Sequence, residues 1–130
     1  MVEVVAEKQE VAEEEKRIKN ILLLTYQYVS DQGLSIQFLC KEILYMNEEY
    51  FGRLFLKSQK QKFSTFLLQQ RIELAKRLIQ YNSDIKTTRL ADLLGFSPDG
   101  QYFSRVFRKV TGLSPTEYRD FVKSRFCSKL

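Results

Sequence analysis

One eight-residue pattern occurs twice in this chain and limits the fold more than any other feature. Tyr50-Phe51-Gly52-Arg53-Leu54-Phe55-Leu56-Lys57 and Tyr102-Phe103-Ser104-Arg105-Val106-Phe107-Arg108-Lys109 lie 52 residues apart. Both read tyrosine, phenylalanine, small, arginine, aliphatic, phenylalanine, any, lysine. Self-similarity of this kind marks a supersecondary unit used twice. Each copy follows a short apolar segment with a small residue after leucine, Leu39-Cys40 and Leu90-Ala91. Short helix, tight turn and second helix make a helix-turn-helix, and the small residue lets its two helices cross closely. Cys40 is accordingly read as a small hydrophobe.

Helical spacing divides the roles within each copy. Phe51, Leu54 and Phe55 share one face, as do Phe103, Val106 and Phe107, and these are expected in the core. Gly52 with Arg53, and Ser104 with Arg105, point elsewhere. A small residue beside an exposed arginine suits a helix pressed into a DNA major groove, where arginine can donate twice to guanine O6 and N7. The simpler reading of either arginine alone is a solvated surface charge. Its recurrence within the motif favours DNA.

The remaining segments also read as helices, and none alternates with the period of a strand. Residues 3–17 are rich in Glu and Lys and suggest a solvated helix or linker. Ile18, Ile21, Leu22, Thr25, Tyr26 and Val29 recur at helical spacing, and Asp31-Gln32-Gly33 should end that helix with Gly33 left-handed. Ser35 is placed to cap a short helix carrying Ile36, Leu39, Cys40 and Ile43, and Asn47 to cap the next, with Glu48 and Glu49 in its first turn. The polar run Lys57 to Lys62 precedes a long helix, about Phe63 to Gln80, with Phe63, Phe66, Leu67, Leu74, Ala75 and Leu78 on one face. Short helices around Leu90–Leu94 and Gln101–Lys109 flank a turn containing Pro98. Gly112 ends the second of these, and Pro115 suits the first turn of a last helix through Tyr118, Phe121 and Val122. The expected fold is all-α: two helix-turn-helix subdomains joined by a long linker helix, about seven helices in all. Its parts are a linker and N-terminal helix (1–33), a first motif (34–62), the linker helix (63–81), a second motif (82–123) and a tail (124–130). The linker helix would span ~27 Å, and recognition helices at its ends would lie close to one DNA turn, ~34 Å, apart.

Charge and composition narrow the chemistry. The 130 residues include no histidine, which removes Ser-His and Cys-His catalysis and the commonest metal ligand. Residues 1–33 hold four basic and seven acidic side chains, net −3, whereas residues 34–130 hold seventeen and nine, net +8. The basic part is thus the one that carries the repeat, and a polyanionic partner fits it. Cys40 and Cys127 form no C-x-x-C pair, so reduced thiols are expected rather than a disulfide or zinc site. Asp84, Asp92 and Asp99 are scattered and read as caps or surface. No enzyme activity, metal or cofactor is expected. The longest apolar run, Ile21 to Leu24, is too short to span a bilayer, and a soluble, cytoplasmic protein is expected.

Residues 34–122 resemble the DNA-binding domain of the AraC/XylS family of bacterial transcription regulators. The resemblance rests on Leu90-Ala91-Asp92-Leu93-Leu94-Gly95-Phe96, the second copy of the repeat, and Thr111-Gly112-Leu113-Ser114-Pro115-Thr116-Glu117-Tyr118-Arg119. Arg71-Ile72-Glu73-Leu74-Ala75-Lys76-Arg77-Leu78-Ile79 is similar to the family's linker helix. The resemblance implies a double-stranded DNA operator as partner. It implies base contacts from Glu49, Gly52 and Arg53 and from Gln101, Ser104 and Arg105. Asn47, Lys57, Lys60, Arg108 and Lys109 would meet phosphates. It also implies a monomeric isolated domain in a parent protein that can dimerise.

Three departures stand out. Both turns, Leu44 to Asn47 and Ser97 to Gln101, are one residue longer than the family pattern. In this they resemble members attached to two-component receivers, which implies a response-regulator output domain. Lys60 replaces the glycine usual after the first recognition helix. Gly52 offers no hydrogen bond, so base reading by the first motif would rest on Arg53. The competing reading is a helical protein-interaction module that contacts transcription machinery such as RNA polymerase without reading bases.

Overall fold

A computed structural model describes residues 2–96 and 100–127, with side chains described for 7–96 and 100–125. Seven α-helices and one π-helical turn are present among the described residues, with no strand. The helices are α1 (Val2–Gln27), α2 (Ile36–Phe38), α3 (Glu48–Gln59), α4 (Phe63–Tyr81), α5 (Thr87–Leu93), α6 (Gly100–Thr111) and α7 (Pro115–Cys127). The π-helical turn, Leu39–Leu44, continues α2 directly. The chain divides into two units, one of Met1–Tyr28 with Leu34–Phe66, the other of Val29–Gly33 with Leu67–Leu130. The division falls inside α4, after Phe66.

The first unit is built by α1 as much as by the helix-turn-helix. Ile18, Ile21 and Thr25 of α1 are buried, with Leu39, Cys40, Phe51, Leu54, Phe55, Phe63 and Phe66. The rings of Phe51 and Phe55 each lie 5.3 Å from Phe63, and Phe55 lies 5.3 Å from Phe66. Such pairs add about 0.5–1.5 kcal/mol each beyond the area they bury. The caps follow from local chemistry: Ser35 Oγ accepts from the Phe38 N–H at 3.1 Å and Asn47 Oδ1 from the Tyr50 N–H at 3.0 Å.

The π-helical segment Leu39–Leu44 leads directly into the turn before α3. The N–H groups of Tyr45 and Met46 both return to the Cys40 carbonyl, and Tyr45 is left-handed at φ 50° and ψ 52°. Lys60 closes α3 in the same region, at φ 60° and ψ 20°, donating its N–H to the Leu56 carbonyl.

The end of α1 differs from expectation. The helix stops at Gln27, before Val29, and Gly33 is not left-handed. The cause is distant in sequence. Arg71 of α4 is buried and donates from Nε to the Val29 carbonyl at 2.9 Å and from Nη2 to the Asp31 carbonyl at 2.7 Å. Those carbonyls are drawn out of the helical ladder, and Asp31 Oδ1 accepts from the Gly33 N–H to form a local turn. Tyr26, expected in the core, is mostly exposed.

The second unit packs Ile72, Ala75, Ile79, Leu90, Ala91, Leu94, Phe96, Phe103, Phe107, Tyr118 and Val122 into one core. Its aromatic rings run in sequence, Phe96 to Phe103 at 5.1 Å, Phe103 to Phe107 at 5.8 Å and Phe107 to Tyr118 at 5.6 Å. Ala91 is fully buried, as a close crossing of α5 and α6 requires. Leu74, Leu78 and Val106, expected at the centre, lie half-buried at its rim, and Ile72 and Ile79 take the deep positions in α4. Phe121 is 47% exposed because Tyr118 and Val122 occupy the inward face of α7. Gly112 is left-handed past α6, at φ 86°. Pro115 opens α7 behind Ser114, whose Oγ accepts from the Glu117 N–H. Pro98 and Asp99 lie outside the described residues.

Candidate nucleic-acid interface

On α3, positions 49, 52, 53 and 56 form one stripe by the 3.6-residue period, opposite the buried Phe51 and Phe55. Glu49, Arg53 and Leu56 are exposed there, and Gly52 is half-buried. A Cβ added to Gly52 would meet no atom within 4 Å, so the stripe is open for close approach at that point. On α6 the matching stripe carries Gln101, Ser104, Arg105 and Arg108. Gln101, Arg105 and Arg108 are exposed, and Ser104 is half-buried. The Arg105 guanidinium lies 6.0 Å from the Tyr102 ring, which holds it along the helix surface.

The two helices differ in charge. On α3, Glu48 and Glu49 offset Arg53 and Lys57, whereas α6 carries Arg105, Arg108 and Lys109 with no acid. Arg108 and Lys109 occupy the last turn of α6, where the helix dipole favours cations.

The predicted phosphate-contacting residues fall into different environments. Lys60 is exposed on its left-handed backbone just past α3. Asn47 is exposed but its Oδ1 serves as the cap. Lys57 lies off the open stripe, on the α3 flank that faces α1. Its Nζ stands 3.4 Å from Glu14 Oε2, an exposed pair worth at most about 1 kcal/mol but one a phosphate would have to compete with. On the same flank Arg17 donates to the Tyr50 hydroxyl at 2.8 Å and stacks on its ring at 5.6 Å. Lys109, the counterpart of Lys57 in the repeat, has no carboxylate partner among the described residues. Asp84 and Asp92 pair with Lys123 and Arg89 on the surface, and Asp99 lies outside the described residues.

Sequence reasoning passed over three positions. Tyr45, in the turn ahead of α3, is 84% exposed. Arg17 and Arg71 act through contacts 33 and 40 or more residues away, which no local pattern announces. Burial lowers the Arg71 pKa, opposed by Asp31 and Tyr102. Burial, with Glu48 second, pushes the Cys40 thiol up. Among the described residues no group of three His, Cys, Asp or Glu side chains could hold a metal ion, and no helix is long and apolar enough to cross a membrane.

Comparison with known proteins places this geometry in context. A family described as a helix-turn-helix domain matches residues 40–120. The transcriptional regulatory protein YesN of Bacillus subtilis is 33% identical over 102 residues, covering 78% of this chain and 28% of YesN. The HTH-type transcriptional regulator YijO of Escherichia coli K12 is 36% identical over 88 residues, covering 68% of this chain and 30% of YijO. The chain thus spans about three tenths of the length of these relatives. Among solved structures, the C-terminal domain of the two-component response regulator yesN from Fusobacterium nucleatum superposes with a TM-score of 0.73 at 27% identity, covering 80% of this chain and 98% of that one. The C-terminal domain of AraT, a response regulator from Geobacillus stearothermophilus, gives 0.69 at 26% identity, covering 78% and 84%.

Proposed function

The chain belongs to the AraC-type helix-turn-helix family, and from that premise we propose that it binds double-stranded DNA sequence-specifically as the output part of a bacterial transcription regulator. The observation that carries this reading is the pair of solvent-facing stripes on α3 and α6, each built from the same repeated motif and each offering an arginine beside a small residue. In this reading α3 and α6 enter successive major grooves. Arg53 and Arg105 donate to base edges, with Glu49, Gly52, Gln101 and Ser104 beside them. Arg108, Lys109 and Lys60 neutralise phosphates, with Asn47 at the α3 terminus. Lys57 contributes only where phosphate displaces Glu14. The charge difference between the helices gives the second motif the larger share of nonspecific affinity. Two of the similar structures come from response regulators, which supports an output domain governed by a receiver elsewhere in a longer protein.

The experiment is selection from a pool of randomised duplexes, followed by footprinting and salt titration of the winner. Two protected patches one turn apart are expected. The logarithm of affinity should fall against the logarithm of salt with a slope of about −3 or steeper, at ~0.9 per phosphate neutralised by Lys60, Arg108 and Lys109. Arg105→Ala should relax selectivity while leaving nonspecific binding largely intact. No enrichment at any salt would overturn the reading and favour a protein-interaction module.

A further inference from the structure

Tyr45 is the least economical residue in the first helix-turn-helix. It takes up a left-handed backbone that glycine or asparagine adopts more cheaply, and its side chain is 84% exposed. Among the described residues its ring pairs with no other aromatic and its hydroxyl makes no hydrogen bond. The strained position closes the π-helical turn, where the N–H groups of both Tyr45 and Met46 return to the Cys40 carbonyl. Such π-helical turns and such strained positions concentrate at functional sites. Here they place a phenol two residues ahead of Asn47, the cap of α3.

Resting on the DNA-binding reading above, we propose that Tyr45 is a further DNA contact of the first motif, donating its phenolic O–H to a phosphate oxygen at the edge of the groove that α3 enters. In helix-turn-helix docking the N-terminal end of the recognition helix meets the base edges. The turn immediately before it therefore lies over the bordering phosphate strand. Tyrosine hydroxyls are among the donors that serve phosphates. The contact fixes position and carries no base information. Because the phenol is uncharged it releases no counterion, so its energy is independent of salt, unlike that of Lys60.

Three variants test this on the selected duplex and on a scrambled one. Tyr45→Phe should weaken both complexes by about tenfold or more, the loss of one hydrogen bond to a charged acceptor, with an unchanged salt slope. Tyr45→Gly should weaken binding at least as much while raising the melting temperature of the free protein, because the left-handed strain is relieved. Lys60→Ala should reduce the salt slope by about one unit. Wild-type affinity for Tyr45→Phe, or a loss confined to the selected duplex, would overturn the phosphate contact while the DNA-binding reading stands. A loss in Tyr45→Phe accompanied by a shallower salt slope would overturn it too. Failure of the wild-type chain to bind either duplex would overturn both.

Discussion

Replacing Arg71 by methionine or lysine tests whether the second unit depends on a fork of hydrogen bonds or merely on a buried charge. Arg71 is 7% exposed and spans the carbonyls of Val29 and Asp31 with two different nitrogens, at 2.9 and 2.7 Å. Its guanidinium carbon also lies 5.8 Å from the Phe96 ring. Hydrogen bonds from a charged donor are worth about 1.5–3 kcal/mol each, or roughly 3–6 kcal/mol for the pair. Methionine forfeits both but also removes a desolvated charge, and apolar replacement of buried charge recovers about 1–4 kcal/mol. The net expectation for Arg71→Met is a loss of about 2 kcal/mol. Lysine keeps the charge but offers one nitrogen, which cannot reproduce the fork. Arg71→Lys should therefore be the more damaging, at about 3 kcal/mol, although it is the more conservative change. Urea unfolding followed by circular dichroism at 222 nm measures both, and proteolysis should show residues 29–33 released in each. At 2 kcal/mol the melting temperature falls by about 8 °C or more for a unit of this size. A lysine variant within 0.5 kcal/mol of wild type, or more stable than the methionine variant, would refute the fork. Gly95→Ala probes the same contact from the other side. At φ 81° a Cβ is strained, and it would sit 3.0 Å from the Ser30 carbonyl oxygen and 3.1 Å from Arg71 Nη2.

Two further changes bear on the first unit. Ile21→Ala removes a side chain with no exposure and should cost about 2–5 kcal/mol in chemical denaturation, with the footprint of the first motif lost before that of the second. Lys60→Gly should stabilise the chain by about 0.5–1 kcal/mol, the left-handed penalty less the entropy glycine adds to the unfolded state. Lys60→Ala should show no such gain, and equal melting temperatures for the two would contradict the φ of 60°.

What could be read from the sequence was what local chemistry decides. Ser35, Asn47, Gly112 and Pro115 mark helix limits because each satisfies or terminates a backbone ladder within four residues of itself. The repeat gave the two motifs, and period 3.6 separated Phe51 and Phe55 from Arg53. Positions governed by distant partners were not legible. Val29 looked helical until Arg71 claimed its carbonyl. In α4 the apolar residues fill more than one possible stripe, so Leu74 and Leu78 could not be ranked below Ile72 and Ile79 without the core in place. Lys57 and Lys109 are equivalent in the repeat, yet only Lys57 meets an acid, because α1 lies along α3 and supplies Glu14. Tyr45 gave no sign because it belongs to no periodic face.

The participation of α1 in the first core has a practical consequence for anyone transplanting this domain onto another protein. Family similarity begins at Cys40, inside the π-helical turn, whereas buried contacts begin at Ile18. A graft cut at the limits of similarity would carry the second motif with most of its interior, lacking residues 29–33 and the end of α7 from Phe121, which includes the buried Val122. It would deliver the first motif with one wall missing, exposing Leu54 and the flank of α3. The hybrid would carry one motif intact and, through the bared apolar surface of the other, stick to other proteins. The portable piece starts at least one turn before Ile18, where Glu14 and Arg17 complete the seam.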